Sequence, residues 1–201
     1  GEMKVTFPLL GNTYICVETL LEGLGHEPIT PPPGSKKTLE WGSRHSPEEA
    51  CLPFKILLGN MLEGLEAGAD CIYMIGGWGP CRLGYYGEIQ KILLEDLGKQ
   101  VEFITLETPG GNYTLAWERL KNIFRPTKAR RFLQGCRLSW AKLELLEDLE
   151  NLALKIRPRE KSLGLTSGLL ALKLKKVRKA QSVSELQKIR EESKHAFWHL
   201  A

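Results

Sequence analysis

The sequence predicts an α/β fold, a Rossmann-like parallel sheet of about four strands followed by a C-terminal helical region. Three observations carry this. Short apolar runs alternate with stretches of helical periodicity through the first half of the chain. One of those runs, Asp70-Cys71-Ile72-Tyr73-Met74-Ile75, is apolar almost throughout, as a strand covered on both faces must be. From about Leu115 onward no strand pattern recurs. The expected division is a parallel α/β domain over residues 3–112 and a helical region over residues 113–201.

Residues 4–9, Lys-Val-Thr-Phe-Pro-Leu, read as the first strand. Gly11-Asn12-Thr13 then turns the chain into a helix that runs to about Leu24, with Asn12 or Thr13 as its N-cap and Gly25 as its C-cap. His26 to Thr30 is a short second strand, closed by Pro31-Pro32-Pro33, which continues neither a ladder nor a helix. Ser35 opens a short helical stretch to about Trp41. Ser46-Pro47-Glu48-Glu49 carries a start signal: a capping Ser, a Pro at the first helical position and a Glu three residues after the cap. A helix is therefore expected from Ser46, kinked or broken at Pro53 and continuing from Phe54 to Ala67, with Cys51 at the irregularity.

After the strand at 70–75, Gly76-Gly77-Trp78-Gly79-Pro80-Cys81 leads into a helix from about Arg82 to Leu97, capped by Gly98. Val101 to Leu106 is the fourth strand. Strands separated by helices imply βαβ units and parallel pairing. Beyond them lie helices at 114–124, 128–156, 165–178 and 183–199. Basic residues concentrate here (Arg157, Arg159, Lys161, Lys173, Lys175, Lys176, Arg178, Lys179), and a run of this kind reads as a solvated helical face.

Composition narrows the functional classes. With 28 Lys and Arg against 24 Asp and Glu the charge is mixed rather than gathered into one field, so no nucleic-acid partner is implied. No stretch reaches the roughly 18 apolar residues of a membrane span, and the first residues form no signal peptide, which places the protein in the cytoplasm without a membrane partner. Gly1 and Glu2 before Met3 read as a remnant of tag removal. Five cysteines, an odd number in a reducing compartment, are no disulfide framework. Packing, metal binding or catalysis must account for them.

Cys81 has the most informative address. Ligands of open parallel sheets bind outside the carboxyl ends of the strands, and Cys81 follows such an end in a loop where Gly77 and Gly79 let the backbone approach a bound group. A helix beginning just after it favours the thiolate, the form that binds metal. Cys51 is the second candidate ligand, aimed by its helix irregularity at the same side of the sheet, and Cys136, between Gly135 and Arg137, is a weaker third. Cys16 in a helix and Cys71 in a core strand read as small buried hydrophobes.

Other chemistries fit less well. The glycine loop fails the GxGxxG pattern at its last position, Gly34-Ser35-Lys36 lacks the upstream glycine of a P-loop, and His195 and His199 lack the glutamate of HExxH. Zinc needs four ligands where Cys51 and Cys81 supply two. No residue is assigned as catalytic.

Several blocks in order carry a resemblance. Lys4-Val5-Thr6-Phe7-Pro8 with Gly11-Asn12-Thr13, Pro31-Pro32-Pro33, Ala50-Cys51-Leu52-Pro53-Phe54-Lys55, and Gly76-Gly77-Trp78-Gly79-Pro80-Cys81-Arg82-Leu83-Gly84-Tyr85-Tyr86 resemble the acyl-CoA dehydratase activase-related family. Its members are relatives of the 2-hydroxyacyl-CoA dehydratase components and the double-cubane iron–sulfur proteins. The resemblance implies a [4Fe-4S] or double-cubane cluster held by cysteine thiolates and reduced by an ATP-dependent activase, with Cys51 and Cys81 on the family's cluster positions. Arg82, Tyr85 and Tyr86 are then placed to hydrogen-bond to the cluster or substrate. The family's third cysteine is expected in a second α/β domain, which these residues do not include. Completion by a companion subunit or by a homodimer is therefore expected, with Cys136 as the in-chain substitute. The alternative is a non-catalytic partner-binding module that has lost the cluster.

Overall fold

A computed structural model describes residues 2–75, 83–106 and 129–200. In chain order its elements are β1 (Lys4–Thr6), α1 (Tyr14–Leu24), β2 (Glu27–Pro28), α2 (Lys36–Arg44), α3 (Leu52–Glu66), β3 (Cys71–Ile75), α4 (Leu83–Asp96), β4 (Glu102–Leu106), α5 (Ala129–Ile156), α6 (Leu165–Lys179) and α7 (Val183–Trp198). Two compact units form. One gathers Gly1–Leu10 and Leu24–Lys128, the other Gly11–Gly23 and Ala129–Ala201. The expected helix at 114–124 and the boundary at 112 lie outside the described residues.

The first unit is the expected α/β fold. Its four strands lie in the order β2-β1-β3-β4, and every pair is parallel. β3 is buried at Cys71, Ile72, Tyr73 and Met74, which explains its unbroken apolar run: helices and neighbouring strands leave it no solvent face. Phe54, Leu57, Leu58, Met61 and Leu62 of α3 pack on Ile72 and Met74 and on Leu94 of α4. Gly25 ends α1 with a φ of 85°, where a side chain would be strained.

α3 is held by backbone contact as well as by side chains. A Cβ on Gly59 would stand 2.0 Å from the carbonyl oxygen of Thr38 in α2, one on Gly42 1.7 Å from that of Lys55, and one on Gly64 1.9 Å from Thr6 Oγ1 in β1. α2 thus meets α3 backbone to backbone, and β1 meets it through the Thr6 side chain. Thr38 Oγ1 also donates to buried Glu63 Oε2 at 2.7 Å.

The helix expected from Ser46 does not form. Ser46 Oγ donates back to the carbonyl of Gly42, at the end of α2, so it caps no new helix. Residues 47–49 form a turn with Ala50 N donating to Pro47 O, and α3 begins at Leu52. Pro53 therefore sits in the first turn, where its missing N–H costs nothing, and does not kink the helix. The start of α2 is as expected, with Ser35 and Thr38 bonding to each other's backbone amides as a reciprocal cap.

In the second unit α1 joins α5, α6 and α7 around Ile15, Leu145, Leu149, Ile156, Val177 and Phe197, all buried. The basic run is not wholly the solvated face expected of it. Lys173 is buried and reaches Glu192 at 3.5 Å, and Arg178 donates through Nε and Nη2 to the Glu18 carboxylate at 2.8 and 2.6 Å. Polar groups also penetrate the core. Lys142, only 2% exposed, donates to Thr19 Oγ1 and to the Arg178 carbonyl; burial lowers its pKa, opposed by Glu22, Cys16 and Glu18.

Burial pushes the Cys16 thiol up to about 11 from 9.0, with Lys142 opposing. Between those values the folded chain keeps a proton that the unfolded chain has lost. The contribution of Cys16 is therefore whole below pH 9 and falls as pH climbs to 11, by roughly 2–3 kcal/mol. The difference in unfolding free energy between the parent and Cys16→Ala, measured by denaturant titration at pH 8 and pH 10.5, should shrink accordingly. A difference independent of pH would contradict it.

Candidate functional site

The α/β unit places Cys51 beyond the carboxyl edge of its sheet. Gly64 of α3 rests against Thr6, at the end of β1, and one turn earlier Asn60 Oδ1 accepts from Leu9 N at 3.2 Å. Moving toward the start of α3 thus moves past the end of β1, and Cys51 stands at that end as the N-cap residue. From β1 the chain passes outward to β2 and then returns to β3 on the other side of β1, so the strand order reverses between β1 and β3, the kind of point at which open parallel sheets bind ligands.

The thiol of Cys51 is exposed and contacts the hydroxyl of Tyr86, from the first turn of α4. Tyr86 is set by its ring, which meets Phe54 edge-on with centroids 5.0 Å apart and planes at 87°. Gln90, one turn on and fully buried, donates Nε2 to the Phe54 carbonyl at 3.4 Å and ties α4 to α3. The cysteine is thus held between the starts of two helices, whose free amides and aligned dipoles favour negative charge. Either the phenol or the thiol can be the donor in the contact with Tyr86. This donor set suits one thiolate ligand of a metal or cluster. Tyr85, by contrast, is exposed.

The other predicted residues are distributed differently. Cys81, Gly77, Gly79 and Arg82 lie outside the described residues. Cys136 is half-buried on α5 in the helical unit, and burial raises its thiol pKa. Cys16 and Cys71 are buried, as expected of packing cysteines. Among the described residues no group of three or more His, Cys, Asp and Glu is arranged to hold a metal ion, and no disulfide forms. Tyr86 as a direct partner of Cys51 was visible in sequence only as a neighbour of Cys81, since a separation of 35 positions gives no spacing signal.

Residues 9–74 match the CoA enzyme activase uncharacterised domain (DUF2229). The N-terminal region of the chain is accordingly activase-related, and this relates it to the acyl-CoA dehydratase and activase system. The activase-related match contains Cys51 and all of α3, and it spans parts of both compact units, since it includes α1. No curated protein matches the chain. No helix among the described residues is long and apolar enough to cross a membrane.

Proposed function

We propose that the chain is an iron–sulfur component of a 2-hydroxyacyl-CoA dehydratase-like system, with Cys51 and Cys81 as its in-chain cluster ligands. The observation that supports this best is the exposed Cys51, held at two helix starts beside the carboxyl edge of a parallel sheet, within an activase-related region. A [4Fe-4S] or double-cubane cluster bound there supplies electron transfer, or an open iron site that acts as a Lewis acid on a bound substrate. The chain's own residues hold and tune it. Cys51 supplies a thiolate, Tyr86 hydrogen-bonds to that sulfur, and Gly77, Gly79 and Arg82 are the sequence neighbours of the Cys81 ligand. An ATP-dependent activase in the cytoplasm is the reductant, and a companion subunit or second copy completes the ligand set, Cys136 being the in-chain candidate.

A second reading has support in α5, where Leu133 and Trp140 are each 65% exposed and Leu154 is also exposed. An apolar helical face of this kind suits a non-catalytic module that binds a partner. Iron and sulfide analysis of protein purified without oxygen, with a visible spectrum, separates the two. About four irons per monomer or dimer with a broad band near ~400 nm is expected for the first reading. Colourless protein that also resists anaerobic reconstitution supports the second.

A further inference from the structure

The helical unit contains a cleft of about 600 Å³, distinct from the cysteine site and within the size range of small-molecule pockets. Its floor is made by two glycines. A Cβ on Gly23 of α1 would fall 2.7 Å from the Cα of Gly135 on α5, and one on Gly135 would fall 2.6 Å from the Cα of Gly23. The helices touch there backbone to backbone, and longer side chains on either side wall a recess.

The walls carry unspent positive charge. Arg131 and Arg137 of α5 both line the cleft, and neither makes an ion pair or hydrogen bond among the described residues. Glu22 is the acidic residue of the lining, and no ion pair among the described residues joins it to either arginine. The lining thus carries two guanidinium groups against one carboxylate and is net positive. Gln134 and Gln181 add neutral amides to the same lining.

We propose that this cleft binds a small phosphorylated molecule. A guanidinium fork matches two oxygens of a phosphate, and a pair of such forks balances a doubly charged group better than one carboxylate would. The two glutamines are placed to meet the uncharged polar body of the ligand. The site needs no cluster, so it is tested on iron-free protein, and its failure leaves the iron–sulfur reading untouched.

The test is calorimetric titration of the full chain with pyrophosphate, glucose 6-phosphate and succinate at low ionic strength. Binding of a phosphorylated probe in preference to succinate is expected, with Arg131→Gln and Arg137→Gln each weakening it by about tenfold, the loss of one charged hydrogen-bonded contact. Arg44→Gln, on an exposed residue of the α/β unit, should leave it unchanged and so report any diffuse attraction to basic surface. Both cleft arginines are exposed, so these variants should keep the circular dichroism of the parent. The proposal is overturned if no phosphorylated probe binds, if succinate binds as tightly, or if Arg44→Gln weakens binding as much as the cleft variants do.

Discussion

Cys51→Ser should abolish anaerobic cluster reconstitution, with iron and sulfide falling to background and the visible band lost. Serine removes the sulfur that a cluster iron requires and leaves the backbone as it was. The substitution also controls for its own effect on folding. Cys51 is the N-cap residue of α3 yet makes no side-chain capping bond, whereas serine is among the preferred residues there. The variant should therefore be as stable as the parent or firmer by about 0.5 kcal/mol, so that lost iron cannot be ascribed to unfolding. Cys81→Ser should have the same effect on iron. Cys16→Ser and Cys71→Ser should retain the cluster and lose only stability, because both thiols are packed in cores. Reconstitution to parental iron content in Cys51→Ser would remove Cys51 from the ligand set.

Gly59→Ala should destabilise the α/β unit by about 3 kcal/mol or more. Its methyl group would stand 2.0 Å from the Thr38 carbonyl oxygen and 2.8 Å from the carbonyl carbon, which are backbone atoms that no rotamer change can remove. Relief requires α2 to move off α3. Gly168→Ala is the matched control. That glycine lies within α6 with nothing inside 4 Å of its added carbon, so alanine should stabilise by about 1 kcal/mol through its higher helix propensity. Denaturant midpoints of both variants decide the matter. Equal and small shifts would mean that the α2–α3 approach is looser than described.

The sheet was legible because its evidence is local. An apolar run such as 71–74 can only be a strand covered on both sides, and the turns around Gly25 and Gly98 follow from backbone chemistry within a few residues. The start of α3 was misread for a reason that is also local but concealed. Ser46-Pro47-Glu48-Glu49 has the residues of a helix start, yet a hydroxyl can donate backward as well as accept forward, and Ser46 closes the preceding helix. Cys51 was legible as a candidate, but its geometry was not: it became a cap residue rather than a kink residue once α3 began at Leu52. The role of Tyr86, the burial of Lys142 and Lys173, and the cleft over Gly23 and Gly135 rest on contacts between residues far apart in sequence, which periodicity does not encode.

The grouping of α1 with α5, α6 and α7 bears on how the protein is made. Ser139 Oγ donates to the Cys16 carbonyl and Lys142 to Thr19, each across 123 positions of chain. On the ribosome, α1 must wait for those partners on the order of ten seconds at ordinary elongation rates, with the apolar side that carries Ile15 and Cys16 uncovered in the meantime. The α/β unit is synthesised within that interval, so it can fold while its neighbour is still incomplete. A nascent chain arrested before α5 emerges should accordingly expose α1 to chaperones and proteases, and release from that state should coincide with the synthesis of the last three helices.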